Sequence, residues 1–115
     1  MRGPHFSLAT SVIVLLANSQ LSAQQPDVIL NEAGRRIMLA SPQPEYPPEA
    51  RAKHITGSGV YDVWMRVETG VVTHVDVLRS TGSKLLDDAA VKALRRWRSR
   101  PNTISRIKIP IRFLL

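Results

Sequence analysis

The segment from Ser83 to Pro101 constrains the fold of this chain more than any other stretch, because its pattern predicts one amphipathic helix that ends before a proline. One face of that helix is apolar and follows the helical period, at Leu86, Ala90, Ala93, Leu94 and Trp97. The two alanines leave room for close approach to a flat surface, and both flanking segments predict strands. We therefore expect the helix to cover one face of a small sheet.

The charges at the two ends of this segment also agree with a helix. Asp87 and Asp88 fall in the first turn and Ser83 is placed to act as the N-cap. The last turn is basic, with Arg95, Arg96 and Arg98. Consecutive residues on a helix do not face each other, so we interpret the two aspartates as dipole partners and not as a catalytic pair.

A hairpin precedes the helix. Gly59–Glu68 alternates between apolar and polar residues and predicts a half-buried strand, with Tyr61, Val63, Met65 and Val67 facing inward. Thr69 and Gly70 form the predicted turn, and Val71–Leu78 is the returning strand. Before the hairpin, Pro48 is well placed as the first residue of a short helix, Pro48–His54, with Tyr46 and Ala50 packing inward.

The last predicted strand is Ile104–Leu114, where alternation is strict. Its inward side chains are Ile107, Ile109, Ile111 and Phe113, and its outward side chains are Arg106, Lys108, Pro110 and Arg112. Proline cannot donate to a ladder, so Pro110 predicts an edge strand with one open side. That edge is either protected against pairing by its charges and proline or kept for a partner strand.

The chain before these elements divides into a leader and a connector. Residues 1–23 predict a secretory signal peptide, since basic Arg2 precedes an apolar run of twelve residues, Phe6–Ala17, and small residues suited to cleavage follow. The alternative is a short membrane anchor, although a spanning helix needs about 20 apolar residues. We expect residues 24–41 to be a poorly ordered connector with at most a short strand, and residues 42–115 to form one domain.

No pattern predicts catalysis or a bound cofactor. The chain has no cysteine, and His54 and His74 each lack a second ligand at the spacing of a metal site. The glycines suit turns, and a domain of ~75 residues has little depth for a water-excluding pocket. We therefore expect no enzyme, with no catalytic residues, no cofactor, no metal and no small-molecule substrate.

The net charge is +7, and all eight charged residues after Asp88 are basic. A one-sided basic surface indicates an anionic partner such as an acidic protein or a lipid headgroup, and a merely solvated face is an equal alternative. No aromatic stacking platform accompanies the basic residues, so we expect no nucleic acid partner.

Six motifs occur in an order that resembles the C-terminal domain of TonB, the envelope protein that passes inner-membrane energy to outer-membrane receptors. They are QPEYPPEA at 43–50, G-x-Y-x-V-x-M-x-V from Gly59, G-x-V-x-x-V-x-V-x-x-S-x-G from Gly70, LDDAA at 86–90, W-x-x-x-P from Trp97 and I-x-I-P-I-x-F from Ile107. The resemblance covers residues 42–115.

The resemblance implies an α+β fold, a small two-layer sandwich in which a three-stranded antiparallel sheet carries two helices on one face, in the order αββαβ. It implies a periplasmic or envelope location, with attachment to the inner membrane if the leader is retained, and no enzymatic activity. Its implied partners are a TonB-dependent outer-membrane receptor, a second copy of the chain, and inner-membrane motor proteins.

The resemblance also implies the partner-binding residues. In the family the receptor's TonB box pairs with the last strand, which here is Arg106, Ile107, Lys108, Ile109, Pro110, Ile111, Arg112 and Phe113. The segment before the first helix lies near the receptor and corresponds to Gln43, Pro44, Tyr46 and Pro47. We expect a domain that recognises receptor segments by strand addition in energy-dependent transport. The alternative is an envelope assembly module that dimerises through its edge strand or binds anionic surfaces.

Overall fold

The computed structural model describes residues 26–115, so the predicted leader lies outside the described part of the chain. Three helices and six strands follow one another along it. In chain order they are β1 (Asp27–Val28), α1 (Glu32–Ile37), β2 (Met38–Ala40), α2 (Pro48–Ala52), β3 (Gly57–Met65), β4 (Val72–Arg79), α3 (Lys84–Leu94), β5 (Arg98–Ser99) and β6 (Arg106–Phe113).

The main sheet is antiparallel and has the order β1-β6-β3-β4. Its three long strands, β6, β3 and β4, are the three that the sequence predicts, and the sheet has a fourth member because β1 pairs with the end of β6. A second, two-stranded sheet joins β2 to β5. The predicted mixed fold, an antiparallel sheet with a few helices, is confirmed.

A single apolar core lies between the main sheet and the two helices α2 and α3. The sheet contributes the inward faces of β3 and β6, and the helices contribute Ala50 from α2 and Leu86, Ala90 and Leu94 from α3. Tyr46 and Ala50 are buried as expected. Burial of the alternate residues on β3 and β6 is the reason that their sequences alternate.

The connector prediction is wrong for residues 26–41, which form β1, α1 and β2. Local hydrogen bonds explain α1, because Asn31 caps it by accepting from the backbone N–H of Gly34 at 2.8 Å. Pairing with distant strands explains β1 and β2, since neither is long enough to be stable without its partner.

Two details of the predicted long helix also differ. Ser83 occupies the N-cap position without a side-chain cap bond, and α3 ends at Leu94. The chain turns after the helix and buries Trp97, whose indole N–H donates to the carbonyl oxygen of Pro42 at 2.9 Å. A buried indole N–H needs a hydrogen-bond acceptor. The chain therefore leaves the helix after Leu94, in the conformation that brings Trp97 to the Pro42 carbonyl. Within residues 26–115 no helix has both the length and the apolar character to cross a membrane.

Candidate partner-binding site

The backbone of β6 divides its hydrogen-bonding groups between two sides. The carbonyl of Ser105, just before β6, accepts from Met65 N–H of the β3 side at 2.8 Å, whereas the carbonyl of Pro110 accepts from Ile29 N–H on the opposite side at 2.9 Å. The N–H and C=O of one strand residue point to the same side, and successive residues alternate. The even-numbered residues of β6 therefore direct their backbone groups to the outer edge, and Pro110 lacks its donor on that edge, as predicted.

The side chains of β6 divide in the same way. Ile109, Ile111 and Phe113 are fully buried and Ile107 is partly buried against the core, so these predicted partner-binding residues support the strand from beneath. Arg106, Lys108, Pro110 and Arg112 lie on the outer face. A strand that paired at this edge would therefore bond to the backbone of the even-numbered residues and contact the side chains on the outer face.

The outer edge is only partly open, which corrects the expectation of a bare edge. β1 lies against the last part of β6, with Asp27 opposite Arg112 and Val28 opposite Ile111. The Asp27 carboxylate accepts from the Arg112 guanidinium at 3.1 Å. Among residues 26–115, no strand lies beside Arg106–Ile109 on that side.

An ion pair between a buried carboxylate and a half-exposed guanidinium lies on the outer face at the start of β6. Asp62 of β3 is only 2% exposed and accepts from Arg106 Nε at 2.9 and 2.8 Å, while a second guanidinium nitrogen lies 2.5 Å from the carboxylate. The guanidinium also stacks 4.5 Å from the ring centroid of Trp64. The hydrogen bond from Arg106 lowers the pKa of Asp62, although burial raises it, and the net result is below the ordinary value.

This geometry gives a prediction about the pair. Arg106→Gln should destabilise the domain at neutral pH, because it leaves the buried carboxylate of Asp62 without its cation. The folded pKa of Asp62 is depressed, so this stabilisation is present above the ordinary carboxyl pKa and is lost as the pH falls through the folded value. Urea denaturation at several pH values should therefore show the loss shrinking in acid.

Arg112→Gln is the matched control, since the Arg112–Asp27 pair is about half exposed and should contribute little. The double variant Asp62→Asn, Arg106→Gln should recover part of the stability lost by Arg106→Gln alone. Equal losses of stability for Arg106→Gln and Arg112→Gln at every pH would mean that the buried Asp62 carboxylate does not depend on Arg106.

The segment before α2 meets the end of β6. Tyr46 is 5% exposed, its ring packs edge-on against Phe113 with centroids 5.6 Å apart, and its hydroxyl donates to the carbonyl of Ile55. Pro44 is buried too, so both residues are structural supports for the segment. The structure thus brings the two predicted partner-binding segments together at the contact between Tyr46 and Phe113.

The other two residues of this segment face a groove against α3. Exposed Gln43 and half-buried Pro47 line it with residues of that helix, and its volume is about 460 Å³. Both signs of charge occur along its walls, from Glu45 and Lys92 among others. Gln43 and Pro47 are therefore accessible from α3's side of the domain, whereas the backbone edge of β6 is on the sheet.

Intramolecular contacts involve several of the basic residues that follow Asp88. Besides the two ion pairs, Arg98 donates from Nε to the carbonyl of Thr69 at 3.3 Å and Arg100 donates to the carbonyl of Arg36 at 2.7 Å. The basic surface is therefore less uniform than the sequence suggests. In the described residues, no group of three metal-ligating side chains comes together.

Sequence reasoning missed Asp27 and Asp62 as parts of this site. The cross-strand partner of Asp62 is Lys108 and its hydrogen-bond donor is Arg106, so an acid on β3 opposite two bases on β6 was a usable signal once the strands were paired. For Asp27, the sequence indicated at most a short strand somewhere in residues 24–41 and no partner for it, so nothing pointed to β6.

Known proteins are similar to this chain in sequence and in fold. The chain is 32% identical over 105 residues to protein TonB of Vibrio cholerae serotype O1, covering 86% of this chain and 41% of that protein. It is 32% identical over 78 residues to protein TonB of Xanthomonas campestris pv. campestris strain B100, covering 63% of this chain and 34% of that protein. The chain thus spans less than half the length of these relatives.

A solved structure supports the same architecture. The solution NMR structure of the Pseudomonas aeruginosa TonB CTD matches with a TM-score of 0.53 and 24% identity, over 68% of this chain and 83% of that one. Residues 42–115 match the family described as Gram-negative bacterial TonB protein C-terminal, which confirms the resemblance seen in the six motifs. The chain belongs to the TonB C-terminal domain family.

Proposed function

We propose that this protein recognises an extended segment of an outer-membrane receptor in the periplasm by adding that segment as a strand to β6. The observation that carries the proposal is the open part of the edge, Arg106–Ile109, where no strand of residues 26–115 satisfies the outward backbone groups. Exposed strand edges bind peptides through main-chain hydrogen bonds, and alternate side chains add specificity. The role requires no catalysis, cofactor or metal.

The surroundings of the edge support the proposal. The inward residues of β6 are fixed in the core, so the strand is rigid before a partner arrives and little ordering is needed on binding. The contact between Tyr46 and Phe113 fixes the segment before α2 at the end of the same strand. A partner that paired along the whole of β6 would end beside this segment, at Phe113.

The wider role is part of the same proposal. The name TonB belongs to relatives that are more than twice as long as the matched part of this chain. We infer by family membership that receptor recognition serves energy-dependent transmembrane transport, with inner-membrane motor proteins as further partners. A second copy of the chain would compete for the same edge, and sedimentation in the presence and absence of peptide separates the two modes.

Titration of the full chain with peptides that carry receptor TonB boxes tests the recognition step. Backbone amide shifts followed by NMR should cluster on β6 and on residues 43–47, because both lie on the proposed path of the peptide. Shifts confined to the basic loop residues after α3, with strong salt dependence, would instead support binding of anionic surfaces. A well-folded spectrum without shifts would overturn the proposal.

The edge also predicts the effect of one proline. Lys108 is an even-numbered residue, so its N–H faces the outer edge and Lys108→Pro should leave the ladder with β3 intact. Peptide affinity should fall about tenfold, which corresponds to the loss of one good hydrogen bond. Isothermal titration calorimetry measures the change.

Lys108→Val is the matched control, since it removes the same charge but keeps the N–H, and it should bind an uncharged peptide about as well as the wild type. If both variants lose affinity equally, the charge of Lys108 and not its backbone would be the binding group. If neither loses affinity, the partner does not pair with β6.

A further inference from the structure

The short strand β1 covers the end of the β6 edge that is not open, from Pro110 to Arg112. Asp27 and Val28 pair with Arg112 and Ile111, and Ile29 N–H donates to the carbonyl of Pro110 at 2.9 Å. These are main-chain contacts of the type that an added strand would make. The chain thus supplies its own strand on the edge proposed for a partner, next to the open part Arg106–Ile109.

Side chains hold β1 in place on one face only. Pro26 is buried and Val28 packs against the core, whereas Ile29 is 47% exposed. Leu30 also packs against the core. Its side chain lies so close to Gly34 of α1 that a Cβ atom on residue 34 would be only 2.6 Å from it. The segment is therefore docked by a few apolar side chains and continues into a helix that has its own cap.

The attachment of β1 is weaker than that of the strands around it. The ion pair between Asp27 and Arg112 is about half exposed on both sides, and such pairs add little. Pro110 accepts from Ile29 but has no N–H to return, so this position contributes one hydrogen bond instead of two. By contrast, β3 pairs with eight residues of β6, so β1 can leave without disturbing the main ladder.

A longer strand would make contacts that β1 does not make. After Ile29 the chain turns into α1 at Glu32, so β1 never reaches the outward N–H groups of Arg106 and Lys108. A partner that begins to pair at this open part gains those donors first. It can then extend toward Arg112 only where β1 has been released.

From this arrangement we propose that residues 27–29 act as an intramolecular competitor for the β6 edge, which a partner strand displaces by exchange from the open end. The inference rests on the proposed function, because it assumes that β6 receives a partner strand. It adds a regulatory step: the apparent affinity for the partner is reduced by the fraction of molecules in which β1 is paired.

A reversible cross-link tests the exchange. The chain contains no cysteine, so Asp27→Cys with Arg112→Cys introduces a single pair at facing positions of β1 and β6. The probe is the peptide Pro-Asp-Val-Ile-Leu-Thr-Val-Thr-Val, in which the sequence of residues 26–30 continues as a strand instead of turning into α1. We expect the oxidised full chain to bind it at least tenfold more weakly than the same chain after reduction.

A release variant gives the opposite change. Asp27→Lys with Ile29→Pro removes the ion pair and the N–H that reaches Pro110, and it should bind the probe about threefold or more tightly than the wild type. Glu32→Lys is the control for charge, because its side chain is 80% exposed and makes its ion pair within α1. This control should bind like the wild type.

The outcomes separate the two proposals. Binding that is equal in the oxidised, reduced and release forms would overturn the competition while leaving strand addition intact. Absence of binding in all of them, together with folded spectra, would overturn strand addition at β6 itself and the competition with it. Weak binding to the oxidised form and tight binding to the release form would support both.

Discussion

Replacing Gly70 by alanine is expected to destabilise the domain by about 4 kcal/mol, because two separate penalties meet at this residue. Its φ of +78° lies in the left-handed region that side chains disfavour. A Cβ atom there would lie 1.8 Å from the carbonyl oxygen of Ser99, a distance that only a backbone shift can relieve. The shift would break the bond from Ser99 N–H to the Gly70 carbonyl, which is 3.0 Å long.

Gly82→Ala is the matched control for that experiment. Gly82 has a similar φ of +92°, but nothing lies within 4 Å of the position that a Cβ atom would take, so only the conformational penalty of about 1 kcal/mol remains. Thermal denaturation followed by circular dichroism should give Gly70→Ala a melting temperature roughly 15 °C lower than that of Gly82→Ala. Equal losses would mean that the turn after β3 does not pack against β5.

The sequence predicted the elements whose pattern extends over several residues. β3, β6 and α3 each bury one face along their whole length, so the period of apolar residues reveals both the element and its inward side. Pro110 predicted which side of β6 faces away from β3, because a missing donor is a local property of one residue, but it did not predict that β1 pairs there. The fold class could therefore be predicted from the sequence, and the partner-binding role of β6 stays a prediction.

The remaining features depend on residues far away in the chain. β1 has two residues, too few for a period, and its position is set by β6 some 85 residues later, as the Asp27–Arg112 pair shows. Asp62 occupies the polar face of β3, and the guanidinium that pairs with its buried carboxylate belongs to Arg106, 44 residues further on. Such contacts become predictable after the strands are paired and not before.

The two adjacent aspartates of α3 also differ in a way that depends on residues outside their helix. Asp87 accepts hydrogen bonds from the Tyr61 hydroxyl at 2.9 Å, the Thr81 N–H at 3.0 Å, the Thr81 hydroxyl at 2.9 Å, and the Ser80 hydroxyl. Asp88 is mostly exposed and pairs with Lys84 one turn away at 3.0 Å. The sequence treats both as partners of the helix dipole, whereas the structure gives one of them the additional role of joining α3 to β3 and to the loop before the helix.

Burial raises the pKa of the Asp87 carboxyl, but the hydrogen bonds from Ser80, Thr81 and Tyr61 together lower that pKa by more. The folded pKa therefore lies below the ordinary value. Burial also raises the pKa of Tyr61, and the bond to Asp87 adds to that increase. Both shifts favour the same state, a charged carboxylate that accepts from a neutral phenol. The phenol is fully buried and depends on this acceptor.

Asp87→Ala should therefore cost about 3 kcal/mol at neutral pH, because it leaves the buried Tyr61 hydroxyl and the Thr81 N–H without their acceptor. Asp88→Ala, the matched control, should change stability by no more than about 0.5 kcal/mol, since it removes one exposed pair. Because the folded pKa of Asp87 is depressed, its contribution is complete above the ordinary carboxyl pKa and is lost as the pH falls through the folded value. The free energies of unfolding of the wild type and Asp87→Asn, measured by urea denaturation, should thus converge in acid. A difference that is the same at every pH would mean that the charge on Asp87 does not stabilise the contact between α3 and β3.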